Sequence, residues 1–217
     1  MKLARRVLPT LVVLLLSASP AWASTIAMFN SGLAANGTTL ATANGGASFF
    51  WTLASAPAGA TEAIGSGTFR YNCCYFADVA DAAWVSPGAN GSASVGGVYV
   101  YQMMLDLTGF NPNTVSITGY FGTDNDGFIR VNGGPNAATT GFGDFGGHTP
   151  FSLTSGFVAG QNFIQLGVNN GGNPTAFFVH FDTQAVNPLL PGVVPEPTTL
   201  LLLGTGLVVL SRRLRRA

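Results

Sequence analysis

Two cysteines stand side by side at Cys73 and Cys74, and they are the only two in the 217-residue chain. In an oxidising compartment such a pair either closes a vicinal disulfide, which makes a small strained ring, or stays as two thiols. A vicinal disulfide stiffening the loop before Tyr75 and Phe76 is the expectation, and the dithiol is its alternative. Asp124-Asn125-Asp126-Gly127 sets alternate carboxylates on what reads as a turn. Hard oxygen ligands at that spacing suit a cation, yet an EF-hand would need a bidentate Glu where the twelfth position holds Pro135. A turn explains the same residues without an ion, and the two aspartates are expected to be solvated. They also lack the facing acid that glycoside hydrolysis requires. His148 and His180 have no third or fourth ligand at zinc spacing, and no Gly-x-Ser-x-Gly elbow is present. No cofactor and no metal are therefore expected, and no enzyme activity. What remains is stacking. Trp51, Tyr71, Tyr75, Trp84, Tyr99 and Tyr101 could each lay a ring against the apolar face of a sugar, although most aromatics in a β-protein are core. Tyr75 and Trp84, in an irregular stretch with Asp78 and Asp81, are the candidate glycan contacts.

Charge narrows the partners. Lys2, Arg5 and Arg6 lie at the N-terminus and Arg212, Arg213, Arg215 and Arg216 at the C-terminus. Between Ser24 and Val193 only Arg70 and Arg130 face eight carboxylates, a net charge of −6 with no lysine. Such a body repels polyanions, which excludes nucleic acid as a partner.

The elements that would position these residues are strands. Residues 25–29, 48–53, 67–76, 98–107, 114–121, 128–131, 149–153, 162–168 and 175–181 are apolar or alternating, and turn residues separate them. In 114–121 the alternation puts Val115, Ile117, Gly119 and Phe121 on one face and Thr114, Ser116, Thr118 and Tyr120 on the other. No amphipathic helix interrupts the series, so the expected fold is an all-β sandwich. The runs Leu107-Thr108-Gly109-Phe110-Asn111-Pro112, Gly122 to Gly127, Val131-Asn132-Gly133, Gly156 to Asn162 and Val168-Asn169-Asn170 resemble the galactose-binding-like jelly roll of exported bacterial proteins. The resemblance implies a jelly-roll β-sandwich and names no ligand, because that fold serves binding, adhesion and structural roles.

The two ends read as addresses. Residues 1–23 carry a basic start, an apolar run from Val7 to Leu16 and Ala21-Trp22-Ala23, the pattern of a secretory signal cleaved after Ala23 by signal peptidase following Sec export. Residues 24–184 are the expected β-domain and 185–194 a proline-rich linker. At 195–217, Pro195-Glu196-Pro197 precedes an uncharged stretch from Leu200 to Leu210 and the arginine tail. At about 1.5 Å per residue, a helix from Thr198 to Ser211 covers roughly 20 Å of a hydrocarbon core near 30 Å. That length suits a temporary anchor in the inner membrane. The arginines should stay cytoplasmic, leaving Pro195-Glu196-Pro197 at the outer face. This order of motif, apolar helix and basic tail resembles the PEP-CTERM sorting signal of Gram-negative bacteria. The resemblance implies processing by an exosortase, an integral-membrane cysteine protease, then display at the surface or release, and a link to exopolysaccharide. Two functions are expected from it: a non-catalytic surface or matrix protein, or a module that binds a particular glycan.

Overall fold

The computed structural model describes residues 26–189. The signal segment with Ala21 and Ala23, most of the linker, Pro195-Glu196-Pro197, the apolar stretch, the arginine tail and both expected terminal helices lie outside them.

The body is all-β. Ten strands follow in order: β1 (Ala47–Ser55), β2 (Gly67–Arg70), β3 (Val85–Ser86), β4 (Gly97–Asp106), β5 (Ser116–Asp124), β6 (Asp126–Val131), β7 (Asn136–Thr140), β8 (Thr149–Leu153), β9 (Gln161–Asn170) and β10 (Ala176–Ala185). Every pairing is antiparallel, in the order β7-β6-β9-β4-β1-β2-β3-β10-β5-β8. The sheet curls until its two halves face each other as a sandwich, consistent with a jelly roll. Trp51 of β1 and Tyr101 of β4 meet Phe177 of β10 across the interior, with ring centroids 5.4 and 4.6 Å apart. One continuous apolar cluster fills the space between them.

Period-two alternation is what closes this core. Tyr99, Tyr101, Met103 and Leu105 of β4 point inward and are buried, as are Val115, Ile117, Gly119 and Phe121 along β5. Each such large side chain stabilises the fold by about 1.5–3 kcal/mol. A one-residue slip would turn the whole set out to water, so burial fixes the register.

Two sequence expectations are corrected here. Residues 26–29 form no strand. That segment instead leads to Ser31, which receives Ala83 N–H on its carbonyl and donates its own N–H to Val179 O at 3.0 Å, filling a gap beside β10. The strand expected over 67–76 stops at Arg70, because residues 72–77 leave the ladder to build the loop described below. The packed body also extends past residue 184. Val186 is buried, and Leu189 N–H donates to Gly109 O at 2.8 Å.

Candidate functional site

Four of the residues singled out in the sequence, Cys73, Tyr75, Asp78 and Trp84, meet beside the loop after β2. Its cleft, of about 260 Å³, is lined by Arg70, Cys73, Tyr75, Phe76, Asp78 and Trp84, among others. Arg70 ends β2 and reaches over the loop. Its Nε and Nη2 donate to Asp78 Oδ2 at 3.1 and 2.8 Å, and its Nη1 donates to Ala41 O at 2.8 Å. The other carboxylate oxygen of Asp78 accepts Trp84 N–H at 3.1 Å. One ion pair thus ties the strand, the loop and the segment leading into β3.

Trp84 is only 1% exposed. Tyr75 lies over it at 4.3 Å between ring centroids and Phe76 at 4.8 Å, and its Nε1–H donates to Phe76 O at 2.9 Å. It sits on Gly122 of β5, where an added Cβ would come within 2.9 Å of the indole and 2.8 Å of the Phe76 ring. Trp84 therefore presents no open face to a sugar, which corrects its expected role as a glycan contact: the rings of Tyr75, Phe76 and Phe178 pack around the indole and exclude water from it. Tyr75 is half-buried and keeps an edge in the cleft. Trp51, Tyr99 and Tyr101 are buried core residues, whereas Tyr71 is partly exposed.

Asp124 is 5% exposed, against the expectation of a solvated turn. It closes β5 beneath the loop, accepts the Tyr75 hydroxyl on Oδ2 at 3.1 Å, and accepts Asn125 Nδ2–H on Oδ1 at 3.0 Å. Burial pushes its carboxyl above the ordinary aspartate range, and the Tyr75 hydrogen bond pulls it partway back. Tyr75 in turn is driven far above the usual phenol range, first by burial and then by the Asp124 charge. Because the folded carboxyl holds its proton more tightly than the unfolded one, its stabilising contribution is full in acid. That contribution is lost as pH rises through the folded value. Tyr75→Phe removes the hydrogen bond that opposes this shift, so urea melts should show a larger stability loss than wild type over the interval above the ordinary aspartate value of about 4. Asp124→Asn should flatten the same interval.

Cys73 and Cys74 are both free thiols and both exposed, and Cys73 lines the cleft beside Tyr75. A hydrogen bond from Cys74 holds the Cys73 thiol below the ordinary cysteine range, while the same bond raises Cys74. The histidines lie on the neighbouring outer face. Tyr120 is stacked between His148 at 4.3 Å and His180 at 4.9 Å. His180 touches Asp182 through Nδ1 at 3.0 Å and Asp81 through Nε2 at 3.3 Å. No group of three or more His, Cys, Asp or Glu placed to hold a metal occurs among the described residues.

Sequence reasoning missed the Arg70–Asp78 pair, although Arg70 was one of only two body arginines and stood eight residues from an aspartate. It also missed Phe145, which meets Tyr75 at 6.0 Å and accepts Phe76 N–H on its carbonyl at 3.1 Å. No local pattern carries that contact.

The class defined so far is an all-β protein whose loop-side cleft is held by one ion pair and an aromatic stack. Residues 193–216 match the PEP-CTERM protein-sorting motif. The chain thus carries the sorting signal of an exported, exosortase-processed protein that is held transiently in the membrane before reaching the surface. No curated protein and no solved structure matches the chain.

Proposed function

We propose that this chain is a non-catalytic component of the cell surface or extracellular matrix, associated with exopolysaccharide after exosortase cleavage. The sorting motif at 193–216 is the observation that carries the reading. The cleft supports it: the Asp78 carboxylate is engaged by Arg70 and Trp84, and Asp124 lies under Tyr75, so neither acid is free to meet a substrate.

A second reading, binding of a neutral glycan, is favoured by a different surface. Arg130, Gln165, Gln102 and Thr52 occupy one cross-strand row over β6, β9, β4 and β1. Arg130 Nε donates to Gln165 Oε1 at 3.0 Å, and its guanidinium stands 4.8 Å from the Phe128 ring centroid. Two amides, a hydroxyl and a guanidinium in one cross-strand row suit hydroxyl-rich polymers, and the acidic body disfavours anionic ones.

Co-purification decides between them. The mature chain should be recovered with the extracellular polymer rather than in the soluble periplasm, and recovery in the periplasm alone would contradict both readings. Loss of retention in Arg130→Ala/Gln165→Ala selects the glycan reading, and unchanged retention selects the structural one.

A further inference from the structure

We propose that Cys73 is the attachment point of an interchain disulfide that joins two copies of this chain. The inference rests on the exported, membrane-tethered reading above. Cys73 and Cys74 are the only cysteines in the sequence, and both are exposed on residues 72–77, a stretch outside every strand of the sheet. Within one chain each thiol has only its immediate neighbour. Consecutive α-carbons lie about 3.8 Å apart, short of the roughly 4.4–6.8 Å that an unstrained disulfide spans. A bond to another molecule carries no such constraint. Exported proteins meet an oxidising environment in which exposed thiols do not persist.

The partner is a second copy because of the tether. Every copy that awaits cleavage carries the same C-terminal sorting signal, so neighbouring copies gather at one membrane at a high local concentration. Cys73 rather than Cys74 is assigned because Cys73 alone of the pair lines the open cleft beside Tyr75, and the Cys74 hydrogen bond favours its thiolate, the attacking species.

The chemistry is thiol–disulfide exchange with an oxidising disulfide protein of the export compartment. The Cys73 thiolate attacks one sulfur of that disulfide, breaks the S–S bond and releases one oxidant thiol. The Cys73 thiolate of the second copy then attacks the mixed disulfide at the first copy's sulfur and displaces the other oxidant sulfur as a thiol. Two electrons and two protons pass to the oxidant, and one S–S bond joins the chains.

The test uses full-length chain expressed with its export signals and alkylated before lysis. Non-reducing electrophoresis should show a species of twice the mature mass that collapses on reduction, and peptide mass spectrometry should find Cys73 joined to Cys73. Cys73→Ser should abolish the dimer, whereas Cys74→Ser should retain it. An exported monomer overturns the proposal, whether it carries two alkylated thiols or a bond between the neighbours. A link to a different protein, or a dimer that survives Cys73→Ser, overturns it equally. Fractionation of the same cells separates the two levels: an exported monomer removes the cross-link alone, and uncleaved chain confined to the cytoplasm removes the sorting reading with it.

Discussion

Replacing Pro195, Glu196 and Pro197 by alanine is expected to leave the chain uncut and held in the inner membrane, with the mature form lost from the outside of the cell. The three residues fall inside the matched motif at 193–216. Each proline restricts φ and disfavours helix at the residue before it, and Glu196 supplies the only carboxylate of the tripeptide, so the triple replacement removes every feature that sets it apart from its surroundings. Alanine removes the carboxylate and lifts the proline restriction on the backbone next to the apolar stretch. Neutralising Arg212, Arg213, Arg215 and Arg216 should act differently, because it removes the positive charge expected to set the orientation of the tail and leaves Pro195-Glu196-Pro197 intact. Pulse-chase labelling with fractionation distinguishes the two variants. Normal processing of the triple-alanine chain would count against the motif as the sorting element.

Arg70→Met should destabilise the body by about 3 kcal/mol, the scale of breaking a largely buried ion pair from one side. At roughly 2–4 °C per kcal/mol for a domain of this size, the melting temperature should fall by roughly 6–12 °C. The side chains of Arg70 and Asp78 are only 16% and 15% exposed, so a lone Asp78 carboxylate cannot recover its hydration where it stands. The Ala41 carbonyl loses its donor in the same step. Adding Asp78→Asn should restore much of the loss, since the amide oxygen can still accept Trp84 N–H while carrying no charge. Thermal melts of the two single variants and the double variant measure the coupling directly. Additive losses would show that the pair does not act as a unit.

The strands that could be read in the chain are those buried on one face. The expected 98–107, 149–153, 162–168 and 175–181 correspond to β4, β8, β9 and β10 within a few residues at each end, since alternating Tyr, Met, Leu, Phe and Val leave no other way to bury the apolar set. β7 escaped notice because Asn136–Thr140 is mostly exposed and holds no large apolar residue, so only its partner β6 identifies it as a strand. β3 is two residues long and exists through its pairing with β2 and β10. The cleft divides in the same way. Tyr75, Trp84 and the cysteines could be nominated by type, but the burial of Trp84 and Asp124 arises from Phe76, Gly122 and Tyr75 meeting across the fold. Long-range contacts of that kind leave no spacing in the sequence.

Export and trimming at both ends are the central events in the life of this chain. Intact-mass measurement of the chain recovered from the surface and extracellular fractions should find a polypeptide that begins at Ser24 and lacks the arginine tail beyond Ser211. A chain recovered in the cytoplasm at full mass, with Met1 and Ala217 both present, would contradict it.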